Sequence, residues 1–108
     1  MKYRSHCPIA RTLDVLGDRW TLVVMRDALL LGCRTFAEFE SGKENIPTNQ
    51  LSDRLKRLVE LGLLEKVAYQ QHPARFKYVP TEQGEAVRPI LKSLREFGEE
   101  YLDGKVSI

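Results

Sequence analysis

Apolar residues recur along most of this chain in steps of three and four, the period of a helix with one buried face. Cys7-Pro8 predicts a helix start, because proline is favoured where the first backbone N–H has no helical partner. Ile9, Leu13 and Leu16 then repeat at helical spacing until Gly17. Residues 19–31 are apolar on almost every side, which predicts a central helix buried nearly all round and ended by Gly32. Thr35-Phe36-Ala37-Glu38 has the form of a capping box opening a short helix, with Phe36 and Phe39 inward and an end near Ser41-Gly42. Pro47 disfavours helical geometry at Ile46, so the chain must reorient there. Thr48 is expected to cap a fourth helix with Leu51, Leu55, Leu58 and Val59 along one face, stopping at Gly62.

The period then changes. Val67 and Tyr69 alternate with Lys66 and Ala68, and Phe76 and Tyr78 alternate with Lys77, around a polar loop at 70–75. That pattern predicts a β-hairpin. Thr81 should cap a long final helix whose Val87, Ile90, Leu94, Phe97 and Tyr101 form a helix-pairing seam. Pro89 predicts a kink or break near Arg88. The whole order is that of a mainly α fold with a small β-hairpin wing, an α+β winged helix-turn-helix. At 108 residues it is expected to form a single domain over 1–108.

A helix enters the major groove when a second helix braces it and its outer face is polar. The fourth helix fits that requirement. With Leu51 at the centre of its buried face, Asn49, Ser52, Asp53 and Lys56 point outward, with Gln50 and Arg57 on the flank. Asn and Gln pair with adenine, while Arg and Lys pair with guanine or meet phosphates. Thr48 and the first-turn amides add an anion-attracting helix terminus. The same residues also occur on any solvated helix, and Asp53 and Arg57, four apart, are placed to pair with each other. On the hairpin, Arg75 and Lys77 are the expected phosphate contacts, with His72 left open.

Charge supports this placement without deciding it. The net charge is only +2, yet residues 48–78 hold six basic and three acidic groups. Apolar residues make up 43%, enough for a real core and against whole-chain disorder. No apolar run approaches the roughly 20 residues of a membrane span, and no signal-peptide pattern opens the chain. The expectation is a cytoplasmic protein with no membrane partner. Two cysteines, two scattered histidines and no CxxC argue against a disulfide scaffold or a structural zinc site. No metal or cofactor is expected.

Cys7 is the candidate thiol sensor. It sits at a helix N-cap, where the helix dipole favours a thiolate, and Arg4, His6 and Arg11 add positive field. An inert, half-buried capping cysteine fits the same sequence. Cys33, beside the end of the buried helix, reads as packing. A thiol enzyme built from Cys7 with His6 or His72 is not supported, since no carboxylate orients either histidine.

Cys7-Pro8-Ile9 followed by Leu13-Asp14-Val15-Leu16-Gly17-Asp18-Arg19-Trp20-Thr21 resembles the opening of the HxlR-type regulators. So do Arg34-Thr35-Phe36, Ile46-Pro47-Thr48-Asn49, the run from Leu51 to Leu58, Leu61-Gly62-Leu63 and Thr81-Glu82-Gln83-Gly84. The resemblance spans nearly the whole chain. It implies a winged-helix dimer acting as a transcriptional repressor or activator at operator DNA. It also implies sensing of oxidants, quinones or aldehydes by the cysteine aligned with Cys7 in some members. Cys33, where a non-thiol residue is expected, and Phe97, where tryptophan is frequent, depart from the pattern.

The final seam, with Ile9 and Leu13 of the first helix, offers apolar surface for an isologous homodimer; packing on its own domain is the other reading. The expected function is a DNA-binding transcriptional regulator, a homodimer on double-stranded, near-palindromic operator DNA, with a thiol-reactive or small-molecule effector as candidate signal. The alternative is a winged-helix module that binds protein rather than DNA.

Overall fold

The computed structural model describes residues 3–102. Its elements are α1 (Pro8–Leu16), α2 (Thr21–Leu29), α3 (Phe36–Glu40), α4 (Thr48–Glu60), β1 (Leu64–Gln71), β2 (Ala74–Pro80), α5 (Glu82–Glu85) and α6 (Arg88–Tyr101). This is the expected mainly helical order with a two-stranded wing.

The core is built around α2, which touches α3, α4, α6 and β2. Val24, Met25 and Ala28 from α2 meet Phe39 of α3, Leu51, Leu55 and Leu58 of α4, Leu64 of β1 and Leu91 of α6. Removing these side chains from water is the main force holding the helices together.

The central helix is shorter than its apolar pattern. It stops at Leu29, and Leu30 and Leu31 are exposed, because the chain turns there through Gly32 at φ +72°. The turn delivers Arg34, whose carbonyl accepts the Tyr78 N–H of β2 at 2.7 Å. The helix also buries a charge. Asp27 is 4% exposed, and its carboxylate accepts from the Arg26 guanidinium, which in turn grips Glu44 at 2.8 Å. Burial pushes the Asp27 carboxyl up against the opposing pull of Arg26.

The α3 capping box forms as its four residues predict. Glu38 N–H donates to Thr35 Oγ1 at 3.3 Å, and Thr35 N–H donates to Glu38 Oε1 at 3.0 Å. In the hairpin the strands run further than expected. Gln71 pairs with Ala74, so the expected six-residue loop closes to a two-residue tip at His72-Pro73, with an irregularity at Tyr69. Both faces of the tip are wet, so its backbone ladder continues without apolar side chains, and the Gln70 side-chain amide donates to the Pro73 carbonyl at 3.2 Å.

Thr81 does cap a helix, accepting from Gly84 N–H at 3.0 Å, but that helix is the short α5. The break expected near Arg88 falls at Ala86 and Val87, and Pro89 sits in the first turn of α6. Proline is tolerated there because its missing N–H has no helical partner.

Candidate nucleic-acid interface

Helix α4 is amphipathic by construction. Leu51, Leu55 and Leu58 are 0–1% exposed, which fixes its rotation about its own axis. That rotation turns Asn49, Ser52, Asp53 and Lys56 to the outside, as expected, and leaves Gln50 half-buried. α3 braces it from behind. The wing presents Arg75 exposed and Lys77 half-buried, and adds Lys66, whose ammonium lies 4.5 Å above the Phe76 ring.

Three expectations about α4 change. Thr48 does not cap it: Pro47 occupies the N-cap, and the Thr48 hydroxyl instead donates to Glu40 Oε2 at 2.6 Å, tying the helix start to α3. Asp53 pairs with Arg54, not with Arg57. Arg57 turns inward, donating to the Asp14 carbonyl at 3.0 Å and lying 3.7 Å from Asp18 Oδ1. Helical spacing alone favoured the Asp53–Arg57 pair. An acidic residue at the α1–α2 junction, distant in sequence, drew Arg57 away.

Asp18 stands in the sequence only as one residue of the opening motif. It accepts from the Trp20 and Thr21 amides, both at 3.1 Å, from the Thr21 hydroxyl, and from Arg54 Nε at 2.7 Å. Burial by itself would raise its carboxyl. The hydrogen bonds from Thr21, Arg54 and the Trp20 amide outweigh that and hold it well below the usual carboxylate range. The one legible hint was an aspartate just ahead of a helix, the position of a capping residue.

A model of HxlR-like helix-turn-helix proteins matches residues 15–106. The chain belongs to the HxlR-like helix-turn-helix family. It is 39% identical over 94 residues to the uncharacterized HTH-type transcriptional regulator MT3179 of Mycobacterium tuberculosis, covering 87% of this chain and 58% of that relative's length. Against the uncharacterized HTH-type transcriptional regulator YvaP of Bacillus subtilis the identity is 31%, covering 95% of each chain. Among solved structures it is similar to PA1607, provisionally classed as a transcription factor (TM-score 0.83, 34% identity, 97% of this chain and 72% of that one). It is also similar to the redox regulator HypR in its reduced form (TM-score 0.77, 29% identity, 94% of this chain and 100% of that one).

Within this HxlR-like fold the two thiols differ. Cys7 is exposed at the N-cap of α1, with its backbone N–H donating to Ser5 Oγ at 3.1 Å. Cys33 packs against the core, its Sγ 3.7 Å from the Glu38 carbonyl, and burial pushes its thiol up. Among the described residues, no group of three His, Cys, Asp or Glu side chains is placed to hold a metal.

The apolar seam divides. Ile9, Leu13, Leu94, Phe97 and Tyr101 are all more than half exposed. Ile90 is half-buried, and Val87, 4% exposed, belongs to the chain's own core. Val87 therefore cannot offer surface to a partner, because the break before α6 swings it inward with Leu91.

Proposed function

We propose that this chain is a DNA-binding transcriptional regulator and not an enzyme, one HxlR-type winged domain over residues 1–108. It acts as a homodimer on double-stranded operator DNA. The carrying observation is the outer side of α4: Asn49, Ser52, Asp53 and Lys56 stand exposed on a helix whose opposite side is locked into the core. Thr48, Gln50 and Arg57 border that face, and Arg75 and Lys77 on the wing extend it with positive charge. Two-fold symmetry would place two recognition helices about 34 Å apart on a near-palindromic site.

The test is binding to labelled DNA from upstream of the chain's own coding sequence, across a series of salt concentrations. Affinity should fall steeply with salt, and Lys56→Ala should weaken it and lower the log–log salt slope by about one. Binding that ignores salt, or an unchanged slope in Lys56→Ala, would show that this face does not meet DNA and would favour a protein partner.

A second reading concerns the signal. Cys7 is exposed at the start of α1, a helix that also carries the exposed Ile9 and Leu13, so a thiol adduct there acts beside the dimer surface. The likeness to the redox regulator HypR supports the same assignment. Treatment with diamide should then modify Cys7 and change operator affinity. An unmodified Cys7 with unaltered binding ends this reading.

A further inference from the structure

The structure assigns Asp18 as the positioning residue of the recognition helix, with Arg54 and Arg57 as its tethers rather than as DNA contacts. The inference rests on the DNA-binding reading above only for its functional consequence.

The geometry is specific. Asp18 lies in the short link between α1 and α2, and its two carboxylate oxygens join the start of α2 to α4. Oδ2 accepts the Trp20 and Thr21 amides that open α2, and also accepts Arg54 Nε at 2.7 Å across 36 residues of chain. Oδ1 accepts the Thr21 hydroxyl and lies 3.7 Å from Arg57 Nη1. Arg57 Nη2 adds a bond of 3.0 Å to the Asp14 carbonyl, in the last turn of α1. Arg54 holds Asp53 with Nη1, so the chain of charges runs from the α1–α2 junction to the exposed edge of α4. The Asp18 and Arg54 side chains are 25% and 17% exposed, which shields the pair from solvent screening.

Two consequences follow. The leucines of α4 set which side faces in, but apolar contacts are non-directional and leave its position along its own axis less sharply defined. The planar guanidinium of Arg54 against a fixed carboxylate removes that freedom. Of the basic residues on α4, Arg54 is then paired with Asp18 and Asp53, Arg57 is held by Asp18 and the Asp14 carbonyl, and Lys56 supplies the charge that phosphate meets. Arg57 and Arg54 also bind α4 to the end of α1, so displacement of α1 is passed to the recognition helix through hydrogen-bonded atoms.

Asp18→Asn keeps an oxygen for the Trp20 and Thr21 amides but loses the charge that holds the arginines. Asp18→Asn, Arg54→Met, Arg57→Met, their pairs, and Lys56→Ala as a contrast are compared as full chains, using the upstream duplex and a mixed-sequence duplex as probes. Asp18→Asn and both arginine variants should each lose about tenfold in affinity while leaving the salt slope at the wild-type value. The Asp18→Asn/Arg54→Met pair should be no worse than either change alone. Amide exchange along α4 should quicken in Asp18→Asn and stay unchanged in Lys56→Ala.

A slope lowered by about one for each arginine removed would make them phosphate contacts and overturn the inference. So would wild-type affinity in Asp18→Asn, or strictly additive losses in the pair. If the wild-type chain binds neither duplex, the DNA-binding reading fails by itself. The exchange measurement then still decides: unchanged protection of α4 in Asp18→Asn overturns the positioning role, and faster exchange upholds it.

Discussion

Asp18 and Asp27 are both partly or wholly withdrawn from water, and their carboxyls are shifted in opposite directions from the ordinary value. Burial of Asp18 is outweighed by donors from Thr21, Arg54 and Trp20, and its carboxyl is lowered. Burial of Asp27 prevails over the donors from Arg26, and its carboxyl is raised. For Asp18 the folded value lies below the unfolded one, so its stabilisation is complete above the ordinary range near pH 4 and is lost as pH falls below it. For Asp27 the sign reverses: its contribution is present in acid and is lost as pH rises through the folded value. Urea unfolding at stepped pH should therefore show Asp18→Asn losing less stability than wild type between about pH 4 and pH 2. Parallel acid limbs in the two proteins would refute that account. Residue identity alone could not separate these aspartates, because the difference lies in which donors reach each carboxylate. The Thr35 box was legible because all its partners lie within three residues, whereas Thr48 looked like a cap and bonds to Glu40 instead.

Among elements, the docking of α5 explains why a glycine follows Thr81-Glu82-Gln83. Thr81 N–H donates to the Leu63 carbonyl at 3.1 Å, and the Thr81 hydroxyl donates to the Gly62 carbonyl at 2.5 Å. That draws α5 so close that a Cβ at position 84 would meet the Leu63 carbonyl oxygen at 2.1 Å. Backbone cannot swing aside as a side chain does, so Gly84→Ala should destabilise the fold by about 2 kcal/mol. Thermal melts would check it, and an unchanged midpoint would mean that α5 can lift away at no cost. Helices α1, α3 and α4 were readable from period and punctuation. The end of α2 was not, since Leu30 and Leu31 continue its apolar pattern while the chain leaves to meet β2. The wing was legible as a hairpin but not in length, because hydrogen-bonded ladders carry polar residues as readily as apolar ones at an exposed tip.

At the scale of the molecule, exposed apolar side chains on α1 and α6 remain beyond what one copy covers. Phe97 and Tyr101 pack against each other at a tilt of 48°, with ring centroids 5.1 Å apart, yet both stay over half exposed. Exposed apolar side chains grouped on two helices are the kind of surface that a partner covers. The homodimer proposed above predicts that Phe97→Glu yields a monomer in light scattering, with its melt little changed and its operator affinity sharply reduced. A Phe97→Glu protein that remains dimeric would move the interface elsewhere.

The sequence by itself determined which helices and which hairpin form and in what order, which side of α4 is apolar and which family motifs are present, because periodicity, caps and turn residues act over a few positions. Tertiary structure alone decided that Val87 and Leu91 turn inward while Leu94 and Phe97 stay out, and that Arg57 is held by Asp14 and Asp18. Those outcomes depend on partners tens of residues away, and no local pattern encodes which distant carboxylate an arginine will reach.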